Sequence, residues 1–119
     1  MENKMQEFIK VMKAASDATR VKILKMLQKK VMCVCEIQKA VGTAQSTASK
    51  HLKILEEAGL ITSFKDGLWV NYTLADGHKN PYAANLIGNL THWLDDDKEI
   101  SEIFGRLNQI DRFDIVGKS

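Results

Sequence analysis

Apolar residues recur with a helical period over most of this chain and with a two-residue period over one short stretch. Met5, Phe8, Ile9 and Met12 stand at i, i+3, i+4 and i+7, the stripe of an amphipathic helix. Ser16 or Asp17 caps a second start, and Val21, Ile23, Leu24 and Leu27 carry that helix to about Gln28. Lys22, Lys25, Lys29 and Lys30 are assigned to its exposed side. A short third helix is predicted over Val34 to Val41, stopped by Gly42. The fourth runs from Ala44 to Ala58 and ends at Gly59. At ~100° per residue, Ala48, Leu52, Leu55 and Ala58 gather on one side of it, while Gln45, Ser46, Ser49, Lys50 and Lys53 gather within roughly 140° on the other.

The period then switches. Ile61 to Lys65 and Leu68 to Leu74 read as strands joined by Asp66-Gly67, a two-residue loop suited to a type I′ hairpin. Asn80-Pro81 supplies a cap and a proline at the first helical position, opening a fifth helix to about Leu94, lined by Leu86, Leu90, Trp93 and Leu94. The acids Asp95 to Asp97 precede a sixth helix striped by Ile100, Ile103, Phe104 and Leu107. The tail after Gln109, with Phe113, Ile115 and Val116, has no assignable pattern. The expected fold is mainly α with one β-hairpin, a winged helix-turn-helix in the order α-α-α-α-β-β-α-α. The helix-turn-helix falls at about 33–59, the wing at about 61–74 and a helical C-terminal part at about 81–108, all within one domain over 1–119.

Charge distribution adds to this picture more than the net +2 does. Residues 1–42 carry nine Lys or Arg against four acids, residues 43–73 three against three, and residues 74–119 five against eight. A basic front and an acidic back suit a protein that turns one side toward a polyanion. The polar face of the fourth helix is small and basic, with no acid until Glu56 and Glu57. An α-helix fits the major groove, and short side chains at its start let the backbone approach while Gln and Ser reach base edges. Gln45, Ser46 and Ser49 are therefore base-edge candidates, with Thr47 on the same stretch. Lys50 and Lys53 are candidates for phosphate contacts, and His51 points toward the apolar side as a packed, hydrogen-bonded histidine. In the wing, Lys65 with its turn, together with Trp69 and Asn71, could touch the minor groove or the DNA backbone. No run approaches the roughly 20 apolar residues of a membrane span, and no signal peptide opens the chain, so a soluble cytoplasmic protein is expected. No nucleophile, base and oxyanion set converges, so an enzyme is not expected.

The two cysteines, Cys33 and Cys35, are separated by one valine. A bridge at that spacing closes no useful loop, so free thiols or ligands are the better reading in a reducing compartment. On a regular helix, residues two apart lie about 200° apart. At a helix start the first residue need not be helical, and both sulfurs can then turn to one ion. The helix dipole and the neighbouring Lys29 and Lys30 would favour the thiolates.

Two stretches carry a family resemblance. Gln45-Ser46-Thr47-Ala48-Ser49-Lys50-His51-Leu52-Lys53-Ile54-Leu55-Glu56-Glu57-Ala58-Gly59-Leu60-Ile61 resembles the recognition-helix signature of the ArsR/SmtB metal-responsive repressors, and Val31-Met32-Cys33-Val34-Cys35-Glu36-Ile37 resembles that family's arsenic, cadmium and lead sensing motif. The resemblance spans roughly residues 5 to 95. It implies a homodimer joined through its first and fifth helices, which binds double-stranded operator DNA and leaves it when an inducer engages Cys33 and Cys35. Soft thiolates favour arsenite or antimonite, with cadmium, lead or zinc as alternatives.

The family pattern departs here at three places. Ala44 replaces the usual capping serine, leaving Thr43 to cap one residue early. Gln38 stands where arsenic sensors often place a third cysteine, and there are no N-terminal cysteines of the cadmium type. Asp76-x-His78 and His92-x-x-Asp95 are similar to the family's zinc site, but their separation is off by about one helical turn and they read as solvent-exposed residues. A redox or electrophile switch using the same cysteines is the competing reading. A metal-buffering protein without a DNA role conflicts with the polar face of the fourth helix.

Overall fold

A computed structural model describes residues 3–78 and 80–110. The order is α1 (Lys4–Ala14), α2 (Ala18–Lys29), β1 (Met32–Cys33), α3 (Val34–Val41), α4 (Gln45–Glu57), β2 (Ile61–Asp66), β3 (Trp69–Leu74), α5 (Pro81–Leu90) and α6 (Lys98–Leu107). Each predicted helix is present, and the hairpin follows α4 as a wing follows a helix-turn-helix. The predicted tail residues Phe113, Ile115 and Val116 lie outside the described residues.

Local chemistry sets the helix starts. The Asn3 side chain accepts the Gln6 N–H at 2.8 Å while Gln6 Oε1 accepts the Asn3 N–H at 3.0 Å, a reciprocal cap on α1. Asp17 caps α2 by accepting the Arg20 N–H at 3.0 Å. Asn80 Oδ1 accepts the Tyr82 and Ala83 N–H groups, and its amide nitrogen donates to Ala58 O, so one side chain starts α5 and holds it to the end of α4. Asp97 accepts the Glu99 and Ile100 N–H groups to open α6.

The core draws Ile23, Leu24, Met26 and Leu27 from α2, with Ile37, Leu52, Leu55, Leu60, Ile61, Ile103 and Leu107 around them. The stripe predicted on α1 does not join it. Met5, Phe8, Ile9 and Met12 are 68%, 40%, 41% and 36% exposed, and α1 buries Val11 and Ala14 instead. Phe8 lies edge-on to Tyr82 of α5, with ring centroids 5.5 Å apart. The apolar stripe therefore borders α5 along an outward face of the chain.

Lys25 corrects the expectation of a lysine-rich exposed side on α2, because it is fully buried. Its Nζ donates to Leu90 O at 2.7 Å, Trp93 O at 2.8 Å and Asp95 Oδ1 at 2.6 Å. A buried ammonium is tolerated where three acceptors meet it, and the end of a helix offers carbonyls that lack partners. This also explains why α5 stops at Leu90 rather than near Leu94. The chain turns there around the ammonium, with Leu94 at φ 68°. Trp93 and Leu94, expected to line one side of α5, lie beyond its end and are 54% and 42% exposed.

The sheet has three strands in the order β1-β3-β2, both pairings antiparallel. Strand β1 was not foreseen, since two residues are too few to show a period; it pairs Met32 with Tyr72 and Cys33 with Asn71. The hairpin loop is also displaced by one residue. Asp66 pairs with Trp69, so the loop is Gly67-Leu68. Gly67 has φ 62°, whereas Asp66 and Leu68 do not have positive φ, which is the type II′ pattern with glycine first rather than type I′.

Candidate functional site

Helix α4 presents Gln45, Ser46, Thr47, Ser49, Lys50 and Lys53 to solvent, with Ala48, Leu52 and Leu55 buried beneath them. Gln45 is the first helical residue, so the base-edge candidates stand on the opening turn. Lys53 lies 3.9 Å from Glu57, a loose pair between exposed side chains that leaves its ammonium available to another anion. Ala44 occupies the cap position with extended backbone and no side-chain cap, and Thr43 does not substitute for it: the Thr43 Oγ1 is buried without a hydrogen-bond partner. The start of α4 thus has backbone N–H groups without a side-chain cap, the kind of donors whose hydrogen bonds a phosphate accepts.

Beneath α4, His51 is half-buried as expected. Arg20 Nη1 donates to His51 Nδ1 at 3.2 Å; a guanidinium can only donate, so Nδ1 is the accepting nitrogen. The same guanidinium donates to Ala14 O at 2.7 Å and Lys13 O at 3.2 Å, tying the end of α1, α2 and the recognition helix together. Beside it, the hydrogen bond from the Arg20 backbone N–H holds the Asp17 carboxyl below its ordinary value, assisted by the Arg20 charge.

The wing divides its candidates. Cross-strand partners share a face, so Lys65 lies with Val70 and Trp69 with Asp66 on the opposite face. Lys65 is exposed and Trp69 half-buried, and the two cannot meet one DNA surface together. Asn71, only 3% exposed, is removed from the contact candidates by its place at the junction of three strands. The loop tip carries Leu68, 99% exposed.

Cys33 is the N-cap of α3, with extended backbone at φ −84° and ψ 168°, and Cys35 lies in the first turn. That placement brings the side chains together across a Cα–Cα distance of 5.4 Å, and the two sulfurs are joined to each other. The expectation of free thiols is corrected for this state of the chain. The reason is that a cap residue is not bound by the 200° separation of a regular helix, as estimated above from about 3.6 residues per turn. The same geometry suits two reduced sulfurs closing on one ion. Cys33 is 2% exposed and Cys35 half-buried. Glu36, also buried, accepts the Cys33 N–H through Oε1 at 2.9 Å and fixes the turn. Lys29 and Lys30 do not serve the sulfurs. Lys29 Nζ sits 4.6 Å from the Phe104 ring centre, and Lys30 Nζ donates to Ile110 O at 3.3 Å, both toward α6.

The zinc-like residues form no such site. Asp76 Oδ1 is held by the backbone N–H and Nδ1 of His78, while Asp95 is engaged by Lys25. Among the described residues no group of three His, Cys, Asp or Glu side chains gathers to hold a metal. Sequence reasoning missed the parts played by Glu36 and Arg20, and it placed Asn71 on the DNA side of the wing rather than opposite Cys33. Only Glu36 had a signal, its position three residues after a cap, which is the spacing of a capping box.

Comparison with known proteins agrees with this geometry. Residues 17–63 match the model of a bacterial regulatory protein family, the arsR family. The chain is 36% identical over 80 residues to the arsenical resistance operon repressor of Escherichia coli, covering 66% of this chain and 68% of that protein. It is 41% identical over 70 residues to a cadmium resistance transcriptional regulatory protein CadC homolog of Staphylococcus aureus, covering 58% of each. Among solved structures, HlyU from Vibrio cholerae is 29% identical with a TM-score of 0.65, covering 82% of this chain and 100% of that one. A homodimeric winged helix-turn-helix DNA-binding domain of Mycobacterium bovis, Mb0332, is 26% identical with a TM-score of 0.64, covering 77% of this chain and 82% of that one. Exposed recognition helix, wing and sequence match converge: the chain belongs to the arsR family of DNA-binding transcriptional regulators and is not an enzyme.

Proposed function

We propose that the chain is a cytoplasmic, homodimeric transcriptional repressor that leaves its operator when trivalent arsenic or antimony binds the reduced Cys33 and Cys35. The observation that carries this reading is the convergence of both sulfurs at the cap of α3, the helix that precedes the recognition helix. Closing two sulfurs on one ion alters the first turn of α3, and α3 packs against α4. Two reading heads must match successive major grooves about one DNA turn, ~34–36 Å, apart. A coupling of about 1–3 kcal/mol would lower operator affinity roughly 5- to 150-fold. Gln45, Ser46, Thr47 and Ser49 are the proposed base-reading residues, with Lys50, Lys53 and Lys65 on phosphates and Trp69 on the other face of the wing. The exposed stripe of α1 beside α5 supports dimerisation, as does the homodimeric Mycobacterium bovis neighbour. Arsenite or antimonite is favoured over cadmium, lead or zinc because two sulfurs, with no cluster of further ligands among the described residues, suit a three-coordinate centre better than a closed tetrahedral one.

A second reading, a thiol redox switch, is favoured by the joined sulfurs themselves. One experiment separates the two. Operator binding is measured with arsenite, antimonite, cadmium, lead, zinc or peroxide for the native chain and for the Cys33→Ser, Cys35→Ser double variant. Release by arsenite in the native chain alone is the expected result. Release by peroxide but not by arsenite would transfer the function to the redox reading, and release of the double variant by arsenite would defeat both.

A further inference from the structure

Asn71 occupies the centre of the three-stranded sheet. Cys33 on β1 and Phe64 on β2 are its direct partners, so the three residues form one row across the sheet. Side chains directly opposite each other in an antiparallel ladder project from the same face, with Cβ atoms about 4.5–5.5 Å apart. The Asn71 amide therefore stands on the Cys33 side of β3. It is 3% exposed, and its Oδ1 has no hydrogen-bond partner. A buried acceptor left without a donor is costly, and folded proteins rarely keep one without a use. Glu36, the other buried polar side chain beside the pair, already accepts the Cys33 N–H through Oε1. Asn71 Oδ1 is the acceptor in this row that awaits a donor.

Trivalent arsenic brings one. Arsenous acid has three hydroxyl groups. On binding the dithiol form of Cys33 and Cys35, two As–O bonds break and two As–S bonds form. The two thiol protons leave with the two hydroxyls as water, the oxidation state of arsenic is unchanged, and one As–OH group remains. We propose that Asn71 completes the inducer site by accepting the hydrogen bond of that remaining hydroxyl, in the position for which this chain has no third cysteine. The proposal rests on the reading of Cys33 and Cys35 as an arsenic site, and it makes a wing residue part of inducer selection.

The test compares two arsenicals. Phenylarsine oxide also binds two thiols, but it releases its oxygen as water and keeps a phenyl group, so it retains no hydroxyl. The native chain and Asn71→Leu, both kept reduced with a phosphine, are titrated with arsenite and with phenylarsine oxide, and binding is followed by the As–S absorbance. Asn71→Leu is expected to bind arsenite about tenfold more weakly and phenylarsine oxide as the native chain does. Its melting temperature without ligand should be equal or higher, since an apolar side chain replaces an amide whose oxygen is unpaired. Asn71→Ala serves in its place if the bulkier leucine disturbs the fold by circular dichroism. Unchanged arsenite binding, or an equal loss for both arsenicals, overturns the role of Asn71 while leaving the thiol site intact. Absence of arsenite binding by the native chain overturns the arsenic reading itself, and the role of Asn71 with it.

Discussion

Lys25 ties the end of α5 and the turn after it to α2 through one ammonium and three acceptors. Two of those acceptors are carbonyls at the end of α5 that no helical N–H reaches, so the lysine does for α5 what a C-cap does for other helices. Lys25→Met keeps most of the volume and leaves both carbonyls unpaired. It should cost about 2–4 kcal/mol of stability, measured as a lower denaturant midpoint at unchanged slope. The third acceptor links the same site to acid. Its hydrogen bond to Lys25 holds the Asp95 carboxyl below its ordinary 3.8, and the Arg20 N–H does the same for Asp17. A carboxyl lowered in the folded state contributes stability above its unfolded value and loses it as pH falls through the folded one. The melting temperature should therefore fall below about pH 4, and Asp95→Asn should make that fall shallower; an unchanged acid slope would remove Asp95 from the account.

Helix α4, the element proposed to read DNA, begins without a side-chain cap. Ala44 already has the extended backbone that a cap requires, at φ −68° and ψ 154°. Ala44→Ser should then stabilise the chain by about 1 kcal/mol, seen as a higher chemical denaturation midpoint. The helices were legible from sequence because caps and glycine stops stand at their ends, as Asp17, Asn80 and Asp97 do here. What was illegible depended on contacts distant in the chain. Nothing near Lys25 announces Leu90 and Trp93 as its acceptors, and nothing near Cys33 announces Asn71 as its strand partner. The loop shift at Gly67-Leu68 has the same origin, since pairing to β1 and β2 together decides the register of β3. At the candidate site, the exposure of the proposed DNA-reading residues could be read because they share one helix. The thiol site could be read only in part, because its sheet neighbours arrive from the wing.

On the scale of the molecule, two faces stand out: the polar face of α4 and the apolar border of α1 and α5. Dimerisation through the second would place two copies of the first side by side, and binding through both heads exceeds single-head binding by roughly 100-fold or more. Met5→Glu with Ile9→Glu alters the two α1 residues most open to solvent in that stripe. The variant should sediment as a folded monomer and bind operator ~100-fold more weakly; an intact dimer would place the interface elsewhere. The pairing of β1 with β3 has a consequence for the order of folding as well. Helix α3 and its cysteines form from neighbouring residues, but Met32 and Cys33 meet Tyr72 and Asn71 only after the whole recognition helix and the first wing strand have been made. Contacts so far apart in the chain close late. A chain emerging from synthesis therefore acquires its helix-turn-helix before the sheet that backs Cys33, so the proposed thiol site is completed later than the reading head itself.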